Sequence, residues 1–145
     1  MGWVGNGEEL MGFEGKPFTG IANITYPNGQ LEWEAMYLEG VRDGWVKDYD
    51  EQGNLIGFAQ VRSAKYHGRC VLYYSAGKIK SDALYEMGFL MKKKEYDESG
   101  NVIGDYSIEN DPEQLKRYDD ERQVAIACHF YNTYYNDDGS LVVKE

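Results

Sequence analysis

Basic residues are scarce in this sequence. Fifteen Lys and Arg stand against 25 Asp and Glu, a formal net charge of −10, and the isoelectric point is near 4.7. That balance repels nucleic-acid backbones and anionic lipid headgroups, and it favours a basic partner through long-range steering. The one basic run, MKKK at 91–94, is too small against this background to argue for nucleic acid. Cysteine is limited to Cys70 and Cys128, which gives no disulfide framework and suits a reducing compartment. No stretch approaches the roughly 20 apolar residues of a membrane span. The opening MGWVGNGEELMGFEGK has neither a basic n-region nor an apolar h-region. Met1-Gly2 begins like a myristoylation signal, but Asn6 stands where Ser or Thr is required. The expectation is a soluble cytoplasmic protein that binds neither nucleic acid nor membrane.

Proline is also rare, with 3 residues, whereas Gly numbers 17 and Tyr 13. The mean hydropathy of −0.64 does not call for a thick two-layer core. Tyrosine, apolar along its ring and polar at its tip, suits a sheet whose faces stay partly wet. Glycine at this density implies many turns. Those glycines are periodic. Gly29, Gly53 and Gly77 follow one another at 24 residues, with Gly100 after 23, and Gly20, Gly44 and Gly68 keep the same step. An aromatic precedes each glycine of the first row (Tyr26, Tyr49, Tyr74, Tyr96), and an aliphatic follows (Leu31, Leu55, Ile79, Val102). YDEQGNLIG at 49–57 and YDESGNVIG at 96–104 are two members of this array.

Each unit reads as a β-hairpin whose glycine supplies the positive-φ turn position. Gly53 and Gly77 are expected there. Period-2 alternation places Leu31, Trp33, Ala35 and Tyr37 on an inner face, continued by Leu55, Gly57, Ala59 and Val61 and by Ile79, Ser81, Ala83 and Tyr85. The outer face carries Glu32, Glu34 and Met36, then Ile56, Phe58 and Gln60, then Lys80, Asp82, Leu84 and Glu86. After Gly104 the rhythm stops. Asp111 as N-cap and Pro112 at the first helical position predict a helix to about Gln123, with Gln114 completing an approximate capping box. Beyond it the alternation from Val124 to Tyr131 predicts a strand, and a turn at Gly139 closes a last hairpin. The fold class is therefore all-β, an elongated antiparallel sheet of about five stacked hairpins and about ten strands, with one short inserted helix. At about 4.8 Å per strand it would extend roughly 45–50 Å. The chain forms one domain, with regular repeats over 20–108, a helical insertion over 111–123 and a terminal hairpin over 124–145.

Catalytic and metal-binding patterns fail on their spacing. Asp48-x-Asp50-x-Gln52-Gly53 opens like an EF-hand loop, but Ala59 falls where a bidentate Glu is needed, and Tyr106 falls there in the second copy. His67 and Cys70 with Cys128 and His129 offer nitrogen and sulfur ligands. Adjacent residues on a strand point to opposite faces, so a tetrahedral zinc site is not expected. His67 reads instead as an exposed turn residue and Cys70 as a small core residue. No serine elbow, paired Cys–His or phosphate-binding glycine loop is present. No catalytic, cofactor-binding or metal-binding residue is expected, and the reading is of a protein that is not an enzyme.

The unit resembles the MORN repeat, and more closely its bacterial variant, which runs roughly Gly-x-Trp-x-x-Tyr-x-x-x-Gly-x-Leu…Tyr…Gly. The match covers residues 20–108 well and 124–145 loosely. Trp45 is one position off the tryptophan phase, Asp48 occupies an aromatic site and Lys92 replaces a glycine. The resemblance implies a family often encoded beside bacterial toxins as YwqK-like antitoxins and immunity proteins. It implies a cognate protein toxin as partner. The acidity suggests that this toxin is basic, acting on nucleic acid or nucleotides. The expected partner-binding residues are Glu32, Glu34, Ile56, Phe58, Asp82, Leu84 and Glu86 on the outer face. Trp33, Tyr37 and Tyr85 on the inner face compete for that role. The alternative is a non-enzymatic MORN scaffold or a membrane-associated interaction protein.

Overall fold

The computed structural model describes residues 2–4, 10–13, 15–127, 134, 135, 140 and 142. Strands β1 (Gly2–Val4), β2 (Leu10–Phe13) and β3 (Lys16–Pro17) form a small three-stranded sheet. The main sheet has eight strands in strict sequence order: β4 (Gly20–Thr25), β5 (Leu31–Leu38), β6 (Val41–Tyr49), β7 (Leu55–Arg62), β8 (Lys65–Tyr73), β9 (Ile79–Glu86), β10 (Phe89–Tyr96) and β11 (Val102–Ser107). Every neighbouring pair is antiparallel. The protein is thus mostly β, an open sheet of hairpins followed by a C-terminal helix. About ten strands are expected from the sequence; eight lie in this sheet among the described residues, and the expected terminal hairpin falls largely outside them. At about 4.8 Å per strand, eight strands place the outermost two about 34 Å apart.

The register aligns one residue of each strand into a lateral row: Ala22, Ala35, Val46, Ala59, Cys70, Ala83, Lys93 and Tyr106. Small side chains in this row let bulky ones from flanking rows lean over them. Ala22, Ala35, Val46, Val61 and Tyr37 are buried together, with Phe18 and Trp33 packed against them. Trp33 meets Tyr37 edge-on at 6.4 Å between ring centroids. A single-layer sheet obtains its core this way, from its own inner face.

The four long turns share one backbone pattern. The N–H groups of Tyr26, Asp50, Tyr74 and Asp97 donate to the carbonyls of Gln30, Asn54, Lys78 and Asn101, and Gly29, Gly53, Gly77 and Gly100 close each turn from inside. Those four glycines have φ between 87° and 89°, as expected for Gly53 and Gly77. The turns alternate in kind. Tyr leads the first and third, whereas Asp leads the second and fourth. The Tyr26 hydroxyl donates to the Tyr49 carbonyl at 2.7 Å, and the Tyr74 hydroxyl to that of Tyr96 at 2.9 Å. Asp50 Oδ1 accepts from the N–H of Gln52 and of Asn54, and Asp97 repeats both bonds with Ser99 and Asn101. This alternation explains why the near-identical copies lie two units apart. It also gives Asp50 and Asp97, within the EF-hand-like stretches, a role in closing turns, and no cluster suited to a metal ion occurs among the described residues.

A 3-10 turn, Ile108–Asn110, leads into helix α1, Pro112–Ala127. Asp111 starts it as expected, its Oδ1 accepting the Gln114 N–H at 3.3 Å. The helix runs past Gln123, so residues 124–127 are helical and not the expected strand. Their alternation of β-branched residues with alanine matches either element. An already nucleated helix extends at little cost, and Ala125 gains burial beside Met87 and Tyr135. The rest of that strand, 128–131, and the Gly139 turn lie outside the described residues. No helix among the described residues is long and apolar enough to cross a membrane.

His67 departs from expectation most sharply. It is 1% exposed, not a surface turn residue. Its Nδ1 accepts the Met87 N–H at 3.0 Å, so Nε2 carries the proton and donates to the Tyr134 carbonyl. Its ring also packs edge-on against Tyr134 and Tyr135. Cys70 is half-buried in the inner row. Cys128 and His129 lie outside the described residues.

Candidate partner-binding surface

The outer face has its own lateral row. Asn23, Glu34, Lys47, Phe58, Val71, Asp82, Lys94 and Asp105 stand opposite one another in turn. Glu34, Phe58 and Asp82, singled out from sequence, therefore lie on one line across the sheet. Glu32 and Ile56 sit one step toward the long turns on the same face, and Leu84 one step the other way, between Arg69 and Lys92. Phe58 and Ile56 are half-buried. Phe58 has Lys47 on one side and the buried Val71 on the other, which makes an apolar centre with charged flanks.

The charges of this row alternate. Glu34 faces Lys47, and Lys94 lies between Asp82 and Asp105. Glu34 also accepts the Tyr49 hydroxyl at 2.8 Å. Burial, with Glu34 adding to it, pushes that phenol up to about 12. Lys47 Nζ sits 4.4 Å from the Trp45 ring centroid, a cation–π contact. Arg69 grips Asp82 through Nε and Nη2 at 3.0 and 2.7 Å, holding its carboxyl below the ordinary range. Exposed pairs of this kind contribute about 0–1 kcal/mol, so they set local charge more than stability. Much of the negative charge gathers instead at the long-turn end. There burial, and then Glu32, Glu51, Asp50 and Asp48, raise the Tyr26 phenol.

Glu86 is engaged elsewhere. Its Oε2 accepts the hydroxyls of Tyr118, on α1, and of Tyr135. Burial, with Glu86 second, pushes the Tyr118 phenol well above its usual range. Met87, Ala125, Tyr134 and Tyr135 form a buried cluster, with Phe89 and Tyr118 against it. Helix α1, Tyr134 and Tyr135 thus pack at the short turn between β9 and β10. On the inner face Tyr37 is buried in the core, while Trp33 and Tyr85 are half-buried.

The sequence reading assigns faces on alternate strands only, so it leaves Lys47, Val71, Lys94 and Asp105 unnamed. Antiparallel register across each short turn would have placed them beside Glu34, Phe58 and Asp82. The burial of His67 escapes the sequence for another reason: nothing local marks its contact with Tyr134, 67 residues away.

Immunity protein YwqK of Bacillus subtilis (strain 168) is 32% identical to this chain over 112 residues, covering 77% of this chain and 73% of that protein. No protein-family model matches the chain. No solved structure matches it. The identity extends over most of both sequences, and the chain belongs to the YwqK immunity-protein family.

Proposed function

We propose that this protein is an immunity protein that binds a cognate toxin in the cytoplasm and blocks it, with no chemistry of its own. The observation that carries this reading is the similarity to Immunity protein YwqK across most of the chain. The net charge of −10 favours a basic toxin, of the kind that acts on nucleic acid or nucleotides. A regular sheet offers a rigid surface that loses little ordering entropy on binding. The outer face is the docking surface in this reading. Phe58, beside Ile56, supplies the apolar anchor, and Glu34, Lys47, Asp82 and Lys94 fix register through alternating charge.

The test is co-expression with the adjacent open reading frame, scoring growth and complex formation. Wild type is expected to rescue growth and co-purify with the toxin. Phe58→Ala is expected to accelerate dissociation about tenfold or more, the loss typical of a central aromatic anchor. Glu34→Lys with Asp82→Lys is expected to slow association and flatten its salt dependence. Full rescue and tight binding by both variants would remove the outer face from the proposal. Failure of wild type to bind any neighbouring toxin would remove the immunity reading.

A further inference from the structure

Among the described residues the main sheet ends on two strands with one partner each: β4 pairs with β5, and β11 with β10. Each edge presents backbone N–H and C=O groups that a further strand could pair. Both edges are also apolar. Ile21 and Ile24 on β4, and Val102 and Ile103 on β11, are each more than half exposed. Val102 repeats Leu31, Leu55 and Ile79, yet those three are half-buried. They lie on strands with a neighbour on both sides, so Val102 differs from them in its surroundings more than in its chemistry. Proteins commonly protect such edges with Lys, Pro or inward-pointing charge. The β4 segment GIANIT has none of these, and VIGDYS has a single charge, Asp105.

We propose that a second copy of this chain lays its β4 against β11, head to tail, and continues the sheet. The repeat fixes the register. Across the short turns Glu34 faces Lys47, Phe58 faces Val71, and Asp82 faces Lys94. The same phase at the junction sets Asp105 opposite Asn23 of the second copy, and Tyr106 opposite its Ala22. Both lateral rows then run on without a break, and no two like charges meet. The turns also stay in phase. The last long turn is led by Asp97 and the first of the next copy by Tyr26, the order already found from Asp50 to Tyr74. The two edges differ, so the contact does not close on itself, and added copies give a linear stack. One pair of short strands buries little area, so association is weak. Salt strengthens it by screening the repulsion between acidic chains.

Sedimentation velocity on the full chain tests this across a concentration series, at about 0.15 M and at higher salt. Wild-type mass is expected to rise with concentration, and further with salt. Val102→Lys with Ile103→Lys blocks one edge, and Ile21→Lys with Ile24→Lys blocks the other. Both variants lower the net negative charge, so lost assembly cannot be assigned to added repulsion. Each is expected to stay monomeric alone, whereas an equimolar mixture forms dimers and nothing larger, through the one intact edge of each. A wild type that is monomeric throughout, a variant that assembles alone, or a mixture that stays monomeric overturns the proposal. Amide exchange on wild type gives the same reading without mutation: slower exchange in β4 and β11 as concentration rises supports it, and unchanged rates there overturn it. Toxin neutralisation is scored separately, so failure of one proposal leaves the other standing.

Discussion

The two ends of the hairpins keep the same 24-residue period in different ways. At the long-turn end four turns repeat one glycine geometry, and the sequence shows it openly. At the short-turn end the second turn residues, Gly40, Ala64 and Gly88, donate to the carbonyls of Phe18, Arg42 and Tyr66. The first turn residues, Glu39, Ser63 and Met87, donate instead to side chains: Thr19 Oγ1, Asp43 Oδ2 and His67 Nδ1. Those three acceptors also lie 24 residues apart, yet they share no residue type. A repeat position can therefore be defined by a hydrogen-bond role that several side chains fill. Positive φ occurs at both ends, near 88° at the four long-turn glycines and at 83°, 65° and 84° at Gly40, Ala64 and Gly88, so it does not separate them. The short-turn end varies because any acceptor of suitable reach will serve.

The largest effect is expected where a varied acceptor is also a buried charge. Asp43 is 5% exposed, and its carboxylate pairs with Arg62 Nη1 at 3.0 and 3.2 Å. Asp43→Ala leaves that guanidinium without its carboxylate and is expected to cost about 3 kcal/mol in urea unfolding. Asp50→Ala, at an exposed long turn, is expected to cost far less. Equal losses would mean that burial of the acceptor does not set the two ends apart.

A smaller effect separates His67 from the other acceptors. Burial first, then the Arg62 charge, lowers its pKa, while the Tyr134 carbonyl bond and Glu86 oppose that shift. Tyr135, through its ring, and Asp43, through Arg62, complete its surroundings. Because the folded-state pKa is depressed, the unfolded chain binds more protons once pH falls below about 6.5. His67 thus contributes full stability above that value and progressively less below it. His67→Thr places the residue type of Thr19 at this position, with a hydroxyl expected to accept the Met87 N–H. It is expected to cost about 2 kcal/mol at neutral pH through lost packing and the lost Tyr134 bond. The acid-side slope between pH 6.5 and 5 is expected to flatten, as read by thermal unfolding across pH. An unchanged slope would assign it to other groups.

These contrasts also explain what the sequence could reveal. The strand order, the glycine turns and the line through Glu34, Phe58 and Asp82 follow from periods of 24 and 2, which local residue types display. The buried state of His67 and the commitment of Glu86 to Tyr118 and Tyr135 depend on where the C-terminal segment docks. That segment follows the helix, out of step with the 24-residue period, so the repeat does not fix its place. Val124–Ala127 departs from the expected strand for a related reason: four residues of β-branched and small alternation fit either element, and the preceding helix decides the outcome.

At the long-turn end, Gly77 isolates the backbone requirement, because a Cβ there would meet nothing within 4 Å. Gly77→Ala is expected to cost about 1 kcal/mol through positive φ alone. Gly53→Val adds branching at φ 87° and is expected to cost somewhat more. Unchanged melting temperatures in both would contradict the turn geometry.

The smallest effect concerns the stitch between neighbouring long turns. The Tyr74 hydroxyl spans to the Tyr96 carbonyl at 2.9 Å and joins the third turn to the fourth. Its ring is half-buried and also lies 5.7 Å from Lys80 Nζ. Tyr74→Phe keeps the ring, and so its packing, and removes only the hydroxyl. The carbonyl it leaves is near the surface, where water can replace the donor, so the expected cost is about 0.5–1 kcal/mol. The distinguishing readout is local. Amide exchange is expected to quicken in the fourth turn, at Ser99 and Asn101, and to stay unchanged at Met87 and Gly88 on the opposite end. If exchange quickens equally at both ends, the hydroxyl supports the whole sheet instead of joining two turns, and the two ends are not independent.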